Sequence, residues 1–211
     1  MNFRRGRAWR AAALALVGAG ALSACAPLVV GTVMIGSAMI VTDRRTSATQ
    51  LEDEVIEVKA KNHLQEAIVD KGEISATSYN RTLLLTGVVP SADDKTKAEQ
   101  AVANIENVQS VVNELNVGGF PRSFSQRSSD IYLASKIRAS LIDAKDLFAN
   151  SIALVVWNGN VYLLGRVTER EAERATEVTR GVSGVQKVVK VFQIISEAEL
   201  ANTAPKAPVK P

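Results

Sequence analysis

Apolar and polar positions follow two periodicities along this chain, and the change from one to the other marks its elements. Between Glu52 and Val69, Ile56, Ala60, Leu64, Ala67 and Ile68 recur at helical spacing, which predicts a helix with one apolar face. Ile74–Tyr79 and Thr82–Val89 read as a strand hairpin. Pro90-Ser91-Ala92-Asp93-Asp94 opens a second helix with a proline, a capping candidate and acidic first-turn residues that offset the helix dipole. Val108–Val117 is β-branched and alternating, a third strand.

The same order occurs again. Tyr79-Asn80-Arg81-Thr82-Leu83-Leu84-Leu85-Thr86-Gly87 aligns without gaps to Trp157-Asn158-Gly159-Asn160-Val161-Tyr162-Leu163-Leu164-Gly165, and Val108-Gln109-Ser110-Val111-Val112 aligns to Val185-Gln186-Lys187-Val188-Val189. In the second copy Asn158-Gly159 signals a tight hairpin turn. Thr168 with Glu171 forms a capping box for the next helix. Gly87 and Gly165 end apolar strands, where close backbone approach or a positive φ is expected. The expected fold class is α+β: two tandem, separately folded αββαβ modules, each with two helices packed on a small three-stranded sheet. The modules occupy 52–117 and 128–196, joined by a linker at 118–127 that begins Gly118-Gly119-Phe120-Pro121. A Pro/Lys-rich tail, 197–211, reads as disordered.

Charge and composition narrow the function. The formal charge is +3, yet Arg4, Arg5, Arg7 and Arg10 supply the excess; without those four of the 25 basic residues, the 22 acidic residues outnumber the rest by one. Nucleic acid is therefore not an expected partner. One Cys and one His exclude a disulfide framework and a structural zinc site.

Arg4–Arg10 followed by the apolar Ala11–Leu22 has the form of a signal peptide over 1–24. It closes on Leu22-Ser23-Ala24-Cys25, which resembles the lipobox of bacterial lipoproteins. That resemblance implies cleavage before Cys25, a diacylglycerol on its thiol and an acyl chain on its amino group, with 25–51 as the acylated Cys and tether. Ala26 in place of an Asp points to the outer membrane. A competing reading takes Ala11–Val41 as one bilayer-spanning helix. Pro27 and four glycines weaken such a helix, and it leaves the lone Cys unexplained.

A lipobox followed by two such modules resembles the dual-BON-domain outer-membrane lipoproteins. Thr42-Asp43-Arg44-Arg45, Gly165-Arg166-Val167-Thr168-Glu169-Arg170-Glu171-Ala172 and Val182-Ser183-Gly184-Val185 are similar to that family, over almost the whole chain. The resemblance implies a periplasm-facing protein on the outer membrane that binds anionic phospholipid, supports envelope integrity near the division site, and has no cofactor beyond its acyl chains.

Catalysis finds no support in the residues. The apolar stripes align Ala60, Leu64 and Ile68 with Leu133, Ile137 and Leu141. His63 then matches Lys136 at a solvated border. No phosphate-binding glycine loop occurs, and the acidic pairs Asp93-Asp94 and Glu169–Glu173 sit at helix starts.

The second module's first helix offers a candidate surface. Over Asp130–Lys145, Leu133, Ile137, Leu141 and Ala144 face the core. Ile131, Ser135 and Ile142 lie opposite, flanked by Arg138 and Lys145, with Tyr132 and Ala139 beside them. The first module shows Lys61, Asn62 and Gln65 there, with only Val58 apolar. Apolar area bordered by cations suits shallow insertion among anionic headgroups. It equally suits packing against the other module, or against Phe120 and Phe124. In the related lipoproteins this helix is associated with phospholipid contact, and Tyr132 falls where the family has a Trp. Two functions follow: a membrane-bound protein that takes anionic phospholipid, or an adaptor that binds an envelope or division protein.

Overall fold

The computed structural model describes residues 43–68 and 72–203. The expected signal peptide, Cys25, the competing helix over Ala11–Val41 and the end of the tail at 204–211 lie outside these. Among the described residues, no helix is long and apolar enough to cross a membrane.

The first module contains α1 (Ser47–Ala67), β1 (Glu73–Tyr79), β2 (Thr82–Val89), α2 (Ala92–Ala103) and β3 (Ser110–Val117). The second contains α3 (Phe124–Asp143), a 3-10 turn (Ala149–Ser151), β4 (Ile152–Trp157), β5 (Asn160–Val167), α4 (Glu169–Arg180) and β6 (Lys187–Ile194). Each sheet runs in chain order, with its first pair antiparallel and its second parallel.

Local chemistry places the ends. Thr46, Ser91, Ser123 and Thr168 each accept a backbone N–H at a helix start. Thr168 with Glu171 forms the complete capping box expected from the sequence. Ser123 with Gln126 forms a second one, so α3 starts inside the stretch expected to be linker. The tail is not wholly irregular either, for Glu197–Thr203 forms a short helix, α5. Arg166 Nη2 donates to Glu199 Oε1 at 2.7 Å, tying α5 to β5.

Both hairpins turn through two residues of positive φ, Asn80-Arg81 (48° and 67°) and Asn158-Gly159 (46° and 74°), as tight primed turns require. Gly87 lies within β2 opposite Ile74, with φ at 141°. A Cβ there would stand 1.9 Å from Glu73 O, so the close approach expected at this glycine is real. The strand continues to Val89 rather than stopping at Gly87.

The burial of β2 explains its nearly unbroken apolar sequence. All its residues are buried, because both faces are covered. Leu83, Leu85 and Val89 pack with Ile56, Ala60 and Leu64 of α1 and Ala98 and Val102 of α2. Leu84 points the other way and joins Tyr79, Trp157, Tyr162, Leu164 and Val191. In the second module Val161, Leu163 and Val167 pack beneath Leu133, Ile137, Leu141, Ala172 and Ala175. The two sheets therefore stack face to face with helices outside: helix, sheet, sheet, helix. Each large side chain buried between them contributes about 1.5–3 kcal/mol. Across this plane Tyr79 Oη donates to Ser151 O at 3.2 Å, and Gln193 Nε2 donates to Asn80 O at 3.1 Å and Thr82 Oγ1 at 3.0 Å.

The repeat register differs from the one the apolar stripes suggest. Asp53 accepts from the Asn80 and Arg81 amides, and Asp130 accepts from the Asn158 and Gly159 amides. The two aspartates are equivalent, so Ile56, Ala60 and Leu64 match Leu133, Ile137 and Leu141, one helical turn away from the expected pairing. Lys59, not His63, is the counterpart of Lys136. Lys59 reaches Glu106 and Lys136 reaches Ser183 O, at equivalent places.

Candidate functional site

The capping box at Ser123 extends α3, and the extension changes its outer face. Asp130, Leu133, Ile137 and Leu141 are the buried positions. On the opposite side, at ~100° per residue, Phe124, Ile131, Ser135 and Ile142 fall on one line. Phe124 is 87% exposed, Ile131 and Tyr132 69% each, and Ile142 62%. From Phe124 to Ile142 this ridge is about 27 Å long at ~1.5 Å per residue. Neither the other module nor Phe120, itself exposed, covers it. The inter-module packing weighed for this face is made by the sheets instead.

The polar members of the predicted set divide. Ser135 Oγ donates back to Ile131 O at 3.0 Å. Arg138 is half-buried and donates to Ala149 O at 3.0 Å and Ile152 O at 2.9 Å. Burial lowers its guanidinium pKa. Its charge is thus directed into the loop before β4 rather than outward. Lys145 stands exposed just beyond the end of α3. Lys136, on the other flank, donates to Ser183 O at 2.6 Å and lies 5.6 Å from the Tyr132 ring centroid. Lys136 and Tyr132 rim a groove of about 660 Å³ between the start of α3, the Asn158-Gly159 turn and the loop before β6.

The first module's helix is less polar outside than its sequence suggests. Leu51 (63%), Val55 (45%) and Val58 (62%) are all exposed. In the register set by Asp53 and Asp130, Val55 is the counterpart of Tyr132. His63 is exposed, with Nδ1 3.0 Å from Ala101 O, and takes no part in any cluster. Among the described residues no group of His, Cys, Asp or Glu is arranged to hold a metal ion.

Two largely buried ion clusters hold the modules. Arg45 Nη1 donates to Asp53 at 2.8 Å with its guanidinium 4.1 Å from the Tyr79 ring centroid. Arg122 repeats this with Asp130 at 2.8 Å and the Trp157 ring at 3.4 Å. Arg122 also reaches Glu73 of the first module at 3.0 Å. Arg44 crosses in the opposite sense, to Glu171 of the second module. The legible signal was an aspartate on the core stripe in both repeats.

The BON domain model matches residues 52–119 and again 129–196. The chain belongs to the BON-domain family. Outer membrane lipoprotein DolP of Haemophilus influenzae is 36% identical over 82% of this chain and 90% of its own. The 21 kDa hemolysin of Actinobacillus pleuropneumoniae is 30% identical over 68% of this chain and 74% of its own. Among solved structures, CdsD, a structural protein of the type III secretion system of Chlamydia trachomatis, is 13% identical, covering 72% of this chain and 98% of that one at a TM-score of 0.30. The tandem BON modules and the relation to DolP over most of both chains make this an outer-membrane lipoprotein of the BON family.

Proposed function

We propose that this BON protein is a non-enzymatic, periplasm-facing lipoprotein, acylated at Cys25, that binds anionic phospholipid through its second module and so supports outer-membrane integrity. The observation that carries this reading is the exposed ridge Phe124–Ile131–Ile142 with Tyr132 beside it, on the side of α3 away from the core. Apolar side chains of this size gain about 1.5–3 kcal/mol each on full burial, so partial immersion of three or four suffices for binding. Lys145 and Lys136 contribute ~1 kcal/mol each near an anionic surface, a share that fades with salt. Arg138 acts differently, fixing the loop against the helix through its two carbonyl contacts.

The test is sedimentation of the unacylated chain with phosphatidylglycerol vesicles at low and physiological salt. Tyr132→Glu with Ile142→Glu should abolish binding while leaving the circular dichroism and melting curve unchanged. Gln65→Glu on α1 should do little. A folded double variant that binds as well as the parent overturns the lipid site. The exposed Leu51, Val55 and Val58 on α1 favour a second reading, an adaptor for an envelope or division protein. That reading wins if the parent chain ignores anionic vesicles and the α1 face alone is needed in the cell.

A further inference from the structure

The apolar ridge does not stop at the end of α3. Beyond Asp143 the chain turns through Ala144–Asn150 and presents Phe148, 62% exposed. Ile142, Leu147, Phe148, Ala149 and Asn150 line one shallow hollow of about 400 Å³, so the loop continues the surface of the helix. Arg138 holds this loop to α3 through Ala149 O and Ile152 O. Phe148 is thus presented on a fixed loop, its ring exposed beside Ile142.

Arg44 connects this corner to the chain's entry point. Its guanidinium carbon lies 5.7 Å from the Phe148 ring centroid while its nitrogens bind Glu171 and Arg166 O. Asp43, where the described body begins, is therefore next to the Phe148 end of the ridge. Only the residues between Cys25 and Asp43 separate that point from the proposed acylation site, a span of at most about 60 Å at ~3.4 Å per residue. Lys145 lies exposed in the loop, Arg170 Nη1 donates to Asp146 O at 3.4 Å, Asp146 is paired with Arg174, and Asp143 is exposed at the end of α3.

We infer that Phe148 is a second insertion point, and that the second BON module is seated on the same leaflet that carries the chain's acyl anchor. The occupant is a lipid surface, because the exposed ridge runs to the place where the chain leaves for its anchor. This rests on the lipid-binding reading above, and the experiment separates the two. Acylated protein carrying Phe148→Trp, or in parallel Tyr132→Trp, is placed in phosphatidylglycerol vesicles. Brominated lipid is put either in those vesicles or in a second, protein-free population. Trp157, buried between the sheets, gives a constant background. The expected result is a loss of about half the added emission at both positions when the quencher shares the protein's vesicle, and none from the second population. Quenching at Tyr132→Trp but not at Phe148→Trp overturns this inference and leaves the lipid reading standing. Quenching from the second population alone places the module on an opposing membrane and also overturns it. Quenching at neither position removes both.

Discussion

Arg44 closes on Glu171 through two hydrogen bonds of 2.7 Å, joining the segment ahead of the first module to the first turn of α4 in the second. Both side chains are nearly out of water, at 8% and 1% exposure. Glu171 also accepts from the Thr168 amide, so one carboxylate caps a helix and receives the strap.

Arg44→Ala leaves that carboxylate buried beside a single amide. The expected cost is about 3 kcal/mol, since removing one partner of a buried pair strands the other. Urea unfolding of the whole chain measures it.

The same pair sets the acid limb of stability. Burial alone would raise the Glu171 pKa, but the Arg44 hydrogen bonds and the Thr168 amide outweigh it and hold the carboxyl below its ordinary value of 4.5. Its contribution is therefore complete above the ordinary glutamate range and is lost as pH falls through the lowered value. A pH titration of melting temperature should show this limb, and Glu171→Gln should flatten it.

At the alkaline end, Tyr79 and Tyr162 face each other's sheets, and burial pushes both pKa values up to about 12. A raised value stabilises the fold below the ordinary tyrosine pKa of 10 and is lost as pH climbs through about 12. Tyrosinate absorbance should rise there together with loss of the near-ultraviolet signal of Trp157. If the phenols ionise with that signal intact, the sheet interface is open to water.

Asp53→Asn and Asp130→Asn probe the hairpin turns. Each removes one oxygen acceptor from a group that serves two amides and an arginine, at about 2–3 kcal/mol. Asp53→Asn should cost more, because its turn forces Arg81 to φ 67° while the other turn has Gly159. Thermal melts of the two variants compare them directly.

The shared core also bears on the expectation of separate folding. Residues 128–196 alone would expose Trp157, Tyr162, Leu164 and Val191. That fragment should associate or lose its cooperative melt, whereas the two modules together melt once. Sedimentation and amide spectra of the fragment decide it.

The repeat, the hairpins and the Thr168 cap were legible because each depends on neighbours in sequence. What crosses between elements was not. A helical wheel shows Arg138 as an outward cation; only the fold brings the carbonyls of Ala149 and Ile152 to it. Gly118-Gly119-Phe120-Pro121 reads as linker and hides a helix that starts at Phe124. Matching apolar residues slid α1 by one turn, because Ala60 and Leu64 fit two registers equally, whereas Asp53 and Asp130 fit one.

Stacking the sheets back to back gives the protein two opposed outer surfaces of the same architecture. A flat bilayer can lie against only one of them. With α3 against lipid, as proposed, α1 with its exposed Leu51, Val55 and Val58 would look into the aqueous space. Duplication has thus turned two copies of one fold outward in opposite directions, and the copies are free to diverge in what each side meets.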